Sequence, residues 1–132
     1  MGDLTKNISR HELECKCNNC DVTILDYEPV IEIVQDTCDY FAKENDVDKV
    51  TLIITSGARC YAYNREVGST DNSQHPRACA IDFKIFINGR QVDPKLVHAY
   101  LDEKYPDSLG LGRYTTFTHI DTRPKKDRWS MM

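Results

Sequence analysis

The sequence lacks any long run of apolar residues. Its longest apolar stretch lies at residues 50–54, whereas a membrane-spanning helix needs about 20 such residues. The first residues, 1–6, carry no apolar segment of the kind that a signal peptide requires. We therefore expect a protein that is made in the cytoplasm without a signal peptide and that does not insert stably into a membrane.

Basic residues are fewer than acidic residues in the sequence. The chain has 17 Lys and Arg residues against 21 Asp and Glu residues, which leaves a net charge of −4. Because proteins that bind nucleic acid usually present a basic face, this balance argues against a nucleic-acid partner. A hydrophobic fraction of 40% and a charged fraction of 29% are typical of a folded globular protein. At 132 residues we expect one domain over residues 1–132, and a monomer.

No internal repeat or low-complexity segment divides the chain, but its two ends differ from the rest in composition. A Cys-rich N-terminal segment covers residues 1–26, and a basic tail covers residues 123–132. The tail contains the single Trp129. Its composition allows two interpretations, a surface for anionic polymers or a solvated end with the indole packed on the core.

Six cysteines are many for a chain of this length. Without a secretory signal we expect reduced thiols, which behave as small hydrophobic side chains among apolar neighbours. Three of the six cluster in the N-terminal segment: Cys15, Cys17 and Cys20. His11 would complete a four-ligand structural metal site, but a second Cys-x-x-Cys pair is missing, so we favour ordinary thiols. A disulfide formed after release into an oxidising space is the other alternative.

Two helices are predicted. Pro29 suits the first turn of one helix, which should end near residues 44–45. Its apolar positions recur at helical spacing: Val30, Val34, Cys38 and Phe41. The second helix covers residues 94–104, with Asp93 as its cap and Pro94 at its first position.

Strands are predicted from β-branched and apolar runs at residues 50–55, 80–87, 90–92 and 117–122. Asn88-Gly89 is a hairpin-turn dipeptide between two of them. Residues 109–114 are predicted as a turn that leads into a strand, and residues 57–79 as a long, mostly irregular segment. A connection of that length in a small domain is usually functional. This mixture of elements indicates an α+β domain with a mainly antiparallel sheet and flanking helices.

The clearest candidates for chemistry are His75, in a polar loop, and Asp82, at the start of a predicted strand. Zinc accepts imidazole nitrogen and carboxylate oxygen, and a catalytic zinc keeps three protein ligands and one open position. His119, on the last predicted strand, can supply the third ligand. Spacing alone equally allows an exposed Asp82 on a half-buried strand and a hydrogen-bonded His119 in the core.

Several motifs follow one another along nearly the whole chain, at residues 11–15, 53–59, 64–68, 73–82 and 111–121. Taken in this order they resemble the zinc D-alanyl-D-alanine carboxypeptidase family of peptidoglycan peptidases, which includes bacterial carboxypeptidases and bacteriophage endolysins. Residues 11–15, His-Glu-Leu-Glu-Cys, are similar to the start of the compact, phage-associated branch. The order makes the resemblance specific, whereas each motif alone is weak.

The resemblance implies a Zn²⁺ site at the sheet surface with His75, Asp82 and His119 as ligands. It also implies that Arg59 contacts substrate, since a guanidinium near a metal can bind a carboxylate or stabilise a developing oxyanion. Without the resemblance, Arg59 would be taken as a solvated loop residue.

The implied activity is hydrolysis of an amide bond beside a D-amino acid in peptidoglycan stem peptides, at the cell wall after export or release. One alternative is a zinc-containing binding module of the same fold without turnover, as in the hedgehog N-terminal domain. Another is a structural protein held by a metal at its N-terminal cysteines.

The sequence departs from the family at the general base. Many relatives carry Glu three residues before the last His, or a second His two residues before it, but Thr116 and Phe117 occupy these positions here. Asp121 is our candidate, because residues two apart in a strand share a face and Asp121 should lie beside His119. It would either take a proton from the attacking water or orient a ligand imidazole. Two carboxylates in the long loop are weaker candidates: Glu66 and Asp71.

Overall fold

The computed structural model describes residues 5–15, 29–57, 80–123 and 126–131. A short 3-10 helix, Arg10–Leu13, precedes two α-helices, α1 (Pro29–Glu44) and α2 (Pro94–Lys104). The strands are β1 (Thr51–Ser56), β2 (Ala80–Ile87), β3 (Arg90–Gln91), β4 (Gly110–Tyr114), β5 (Thr118–Asp121) and β6 (Asp127–Met131). None of the described helices is both long and apolar enough to cross a lipid bilayer.

Some of the predicted residues lie outside the described ranges: Cys17, Cys20, Arg59, Glu66, Asp71 and His75. Most of the long segment predicted at residues 57–79 lies outside them as well. The assignments of Arg59 and His75 therefore stay predictions.

The described strands form one sheet in the order β1-β2-β5-β4-β6, with β3 paired to β2. Every strand pair is antiparallel except β4 with β6. The prediction of a small α+β domain with a mainly antiparallel sheet and helices is confirmed.

The two faces of the sheet differ because side chains alternate along each strand. On one face, Ile81 and Phe83 of β2 are buried, together with Leu111 of β4 and Ile120 of β5. These residues belong to a hydrophobic core that also contains the apolar side chains of α1 and α2. The alternate positions, which include Asp82 and His119, therefore point to the opposite face of the sheet.

The N-terminal segment contributes to this core. Ile8 and Leu13 are fully buried, and the side-chain amide of Asn7 donates a hydrogen bond of 2.7 Å to the carbonyl oxygen of Val50. Gly57, just after β1, lies directly against the backbone of Leu13, where an added Cβ would come within 2.7 Å of the carbonyl oxygen. The described part of the segment predicted as polar and Cys-rich, residues 5–15, thus packs against β1 and the residues that flank it.

Two cysteines lie within the described ranges, Cys15 and Cys38, and both are buried. Burial raises the pKa of the Cys38 thiol to about 12, and the nearby charge of Asp39 acts in the same direction. At neutral pH Cys38 is therefore an uncharged side chain of the core, in keeping with the expected hydrophobic role.

The C-terminal region differs from its prediction in two places. Residues 109–114 were expected as a turn leading into a strand, but Gly110–Tyr114 is itself strand β4. The expected tail contains strand β6, which runs parallel to β4 from Gly110 opposite Asp127 to Tyr114 opposite Met131. Both strands depend on pairing between distant parts of the chain, and local sequence carries little of that information.

Arg128 of the basic tail is an internal anchor. Its guanidinium donates hydrogen bonds of 2.7 Å to the Asp102 carboxylate and 2.7 Å to the carbonyl oxygen of Leu109. It also reaches the carbonyl oxygens of Tyr105 and Ser108, at 2.8 and 2.9 Å. Arg128 therefore links β6 to the C-terminal end of α2. Its guanidinium is occupied by these hydrogen bonds.

Candidate metal centre

A row of paired residues crosses the sheet on the face opposite the core. Asp82 of β2 pairs with His119 of β5. His119 pairs in turn with Gly112 of β4, and Gly112 pairs with Trp129 of β6. Because directly paired residues point to the same side of a sheet, this register places the carboxylate, the imidazole and the indole side by side.

Both ring nitrogens of His119 contact carboxylates. Nδ1 lies 2.7 Å from Oδ1 of Asp82, and Nε2 lies 2.7 Å from Oδ2 of Asp121. The exposed fraction is only 6% for His119 and for Asp82, and 0% for Asp121. The imidazole is thus held between two carboxylates with its ring plane set by both contacts.

Asp121 accepts hydrogen bonds on both oxygens. Oδ1 accepts from Nε of Arg123 at 2.7 Å and from the backbone N–H of Arg123 at 3.1 Å. Oδ2 accepts from Nη2 of Arg123 at 2.7 Å, in addition to its contact with His119. Arg123 therefore grips the carboxylate with two guanidinium nitrogens, the geometry that gives arginine–carboxylate pairs their directional strength.

The charges around the imidazole shift the pKa values of His119 and Asp121. Burial alone would lower the pKa of His119, but the carboxylates of Asp121 and Asp82 outweigh burial and raise it. Burial alone would raise the pKa of Asp121, but hydrogen bonds from Arg123 and His119 outweigh burial and hold that pKa well below its usual range. Asp121 is consequently an anion at neutral pH and has little tendency to accept a proton.

Aromatic rings border the imidazole on its β6 side. The ring centroids of His119 and Trp129 are 5.0 Å apart. The indole N–H donates a hydrogen bond of 2.9 Å to the hydroxyl of Tyr114, and the Tyr114 ring stacks on Phe117 with centroids 4.3 Å apart. Trp129 therefore lies beside the site, and not on the helix-side core as one interpretation of the tail proposed.

Two glycines of β4 make room for these side chains. A Cβ on Gly112 would lie 2.5 Å from Nε1 of the Trp129 indole. A Cβ on Gly110 would overlap the Asp121 carboxylate and Nε of Arg123. Glycine at these positions lets the indole and the Asp121–Arg123 pair lie directly on the backbone of β4.

We expect Gly110→Ala to destabilise the fold by about 1–3 kcal/mol, as overpacking usually does, and to weaken metal binding because the Asp121–Arg123 pair must move. Chemical unfolding and zinc titration measure the two effects. Gly89→Ala is the control: Gly89 has a φ of 81° with no atom within 4 Å of an added Cβ, so it should cost backbone strain alone. Equal zinc affinity in the two variants would contradict the prediction.

The donor atoms at the site suit zinc. Carboxylate oxygen and imidazole nitrogen are both zinc ligands, and Asp82 Oδ1 and His119 Nδ1 lie close enough together to bind one ion. Among the residues that the structure describes, no group of three His, Cys, Asp or Glu side chains is placed to hold a metal. The third ligand implied by the resemblance, His75, lies outside these residues. The structure thus brings Asp82, His119 and Asp121 together.

Arg123 and Trp129 were not singled out for the site from the sequence. Both were assigned to the basic tail, whose composition is typical of a solvated chain end. One signal was available for Arg123, because it lies two residues beyond Asp121 and four beyond His119, an alternation that keeps all three on one face if the strand continues. No comparable signal exists for Trp129, whose position depends on the parallel pairing of β6 with β4.

The family model described as Peptidase M15 matches residues 6–121, which is most of the chain. The matched range contains Asp82, His119 and Asp121, and it ends before Arg123 and β6. No curated protein and no solved structure matches the chain significantly. A match of this extent shows that the chain belongs to the Peptidase M15 family, and that it is a metallopeptidase.

Proposed function

We propose that the protein is a zinc-dependent peptidase that hydrolyses an amide bond beside a D-amino acid in peptidoglycan stem peptides. Membership of the Peptidase M15 family supports a peptidase with a generally zinc-dependent mechanism. The observation that carries the proposal is the contact between Asp82 Oδ1 and His119 Nδ1, a pair of zinc-binding atoms aligned across two neighbouring strands. We place the activity at the bacterial cell wall, reached by export or by release as in bacteriophage endolysins.

In this proposal, His75, Asp82 and Nδ1 of His119 would hold zinc, which would supply an electrophile and lower the pKa of a water. Arg59 binds a carboxylate of the peptide or the oxyanion that develops at the scissile carbonyl. Asp121 holds Nε2 of His119, which leaves Nδ1 as the nitrogen that faces Asp82.

Of the two roles predicted for Asp121, its contacts favour orienting the imidazole. Both of its oxygens already accept hydrogen bonds, and its side chain is fully buried. A general base needs an oxygen within reach of the attacking water and a pKa near the working pH. We therefore propose that a different carboxylate takes the proton, and Glu66 and Asp71 are the two to test first.

One observation favours the alternative, a binding module without turnover. The positions where many relatives carry a base are occupied by Thr116 and Phe117, and the Phe117 ring is stacked on Tyr114. A site of this kind would bind zinc and a wall peptide without cleaving it.

Digestion of a defined peptidoglycan, followed by mass analysis of the soluble products, tests the proposal. We expect fragments whose new ends mark a bond beside a D-amino acid, with activity lost on chelation and restored by added zinc. Release of no fragment by a chain that holds zinc would support the binding module in place of the peptidase.

A further inference from the structure

We infer that Arg123 is a positioning residue for the metal site, acting through Asp121 on the imidazole of His119. The inference rests on the zinc site of the proposed function, and it assigns a role to a residue that lies beyond the range matched by the family. It also makes the C-terminal strand β6 a supporting part of that site.

The first step is the choice of ring nitrogen. A metal-binding histidine usually donates its other ring N–H to a carboxylate or carbonyl, which fixes the tautomer and the ring orientation. In His119, Nε2 is directed at Asp121 and Nδ1 at Asp82. Any rotation of the Asp121 carboxylate would therefore turn the imidazole and move Nδ1 away from Asp82.

The second step is the orientation of that carboxylate. Asp121 is fully buried, and Arg123 supplies three of its hydrogen bonds, from Nε, Nη2 and the backbone N–H. The paired contacts of Nε with Oδ1 and Nη2 with Oδ2 fix the plane of the carboxylate, which a single donor would leave free to turn. Without the guanidinium, Oδ2 would keep its contact with His119 but lose the partner that defines its direction.

The third step is the anchoring of Arg123 itself. Its Nη1 donates a hydrogen bond of 2.9 Å to the Asp127 carboxylate at the start of β6. Its guanidinium carbon lies 5.1 Å from the centre of the Trp129 ring, within the range of a cation–π contact. Gly110, on the neighbouring strand, leaves the space that the side chain occupies. Arg123 is thus held by two residues of β6 and is not a mobile surface arginine.

A matched control is available in Arg128. Both arginines bind an aspartate at 2.7 Å through Nε, but Arg128 binds Asp102 near the end of α2, whereas Arg123 binds Asp121 of the site. Loss of either arginine should lower stability. Because Arg128 anchors β6 but acts on the site only through that strand, its loss should lower zinc affinity less than loss of Arg123.

The experiment compares full-length Arg123→Gln, Arg123→Lys and Arg128→Gln, each kept well below its unfolding midpoint. Zinc affinity is measured by competition with a chelator, and Co²⁺ replaces zinc for visible absorption spectra. For Arg123→Gln we expect zinc affinity to fall on the order of tenfold or more, the usual effect of losing an outer partner of a metal ligand, with a changed Co²⁺ spectrum. Arg123→Lys, which keeps the charge without the paired donors, should recover only part of the affinity. Arg128→Gln should keep the Co²⁺ spectrum and should lose less zinc affinity than Arg123→Gln.

If Arg123→Gln does not fold, Asp127→Asn replaces it, because that change releases only the outer anchor of Arg123, and a smaller loss of affinity is expected. Wild-type affinity and spectrum in Arg123→Gln, or an equal loss in Arg128→Gln, would overturn the inference. A wild-type chain that binds no zinc would overturn the metal site and this role together. Zinc binding that depends on Arg123 in a chain that releases no wall fragments would uphold the role and reject the peptidase.

Discussion

Replacing Asp82 with Ala is expected to empty the metal site and to lower the rate of peptidoglycan hydrolysis by on the order of a thousandfold or more. Removal of a bound metal costs several kcal/mol of transition-state stabilisation, and each 1.36 kcal/mol corresponds to a factor of about ten in rate. Asp82 contributes one of the two described donor atoms, and it lies almost completely out of contact with water. Asp82 is the described carboxylate that contacts Nδ1 of His119, so its loss removes that donor atom from the site.

His119→Ala should give the same result, because it removes the other described donor atom and the partner of Asp121. Asp36→Ala is a suitable control, since Asp36 is an exposed carboxylate on α1. Zinc content and hydrolysis rate are measured on the same preparations. Full activity in a folded Asp82→Ala protein would remove Asp82 from the ligand set.

Asp121→Asn is the second substitution for which we expect a large loss of turnover. Turnover should fall on the order of a hundredfold, the scale for losing a key carboxylate beside a metal ligand. Asn keeps the shape of Asp but has one oxygen where Asp121 has two, and both Asp121 oxygens face donors. In either orientation of the amide, its NH₂ group faces a donor of Arg123: Nε at the position of Oδ1, or Nη2 at the position of Oδ2. The imidazole should therefore lose its fixed orientation, and zinc should bind more weakly.

A pH profile of turnover separates the two roles that the sequence allows for Asp121. An orienting residue should weaken zinc affinity and leave the acidic limb of the profile in place, whereas a general base should remove the acidic limb. Asp102→Asn is the matched control, because Asp102 also pairs with an arginine but lies near the end of α2. Normal turnover together with normal zinc affinity in Asp121→Asn would reject both roles.

The helices and the central strands could be predicted because their signals are local. Pro29 and Pro94 stand at the first positions of α1 and α2 in the structure, as their fixed φ angle predicts. The Asn88-Gly89 dipeptide forms the turn between β2 and β3, with φ of 51° and 81°. In each case a few neighbouring residues restrict the backbone enough to define the element.

The closeness of His119 and Asp121 could also be anticipated from alternation along one strand, and the structure shows the contact at 2.7 Å. The pairing of Asp82 with His119 required more, because it depends on the register between two strands that lie far apart in sequence. The expectation that Asp82 and His119 lie together came from the resemblance to a known family, because local patterns do not specify that register.

Strand β6 and its contribution to the site were beyond local prediction. Trp129 reaches the imidazole only because β6 pairs with β4 in parallel, and the composition of β6 is that of a solvated tail. Gly110 and Gly112 look like turn residues in the sequence, although in the structure they create room beneath Arg123 and Trp129. The structural role of these two glycines depends on side chains from other parts of the chain, and local sequence does not specify those contacts.

The central claim, a zinc site with His75, Asp82 and His119 as ligands, is tested most directly by elemental analysis of the purified wild-type protein and of His75→Ala. His75 is the proposed ligand that lies outside the residues the structure describes, so its loss is the most demanding test of the three. We predict one zinc per wild-type chain and little or none in a folded His75→Ala protein. Full zinc occupancy in His75→Ala would contradict the account.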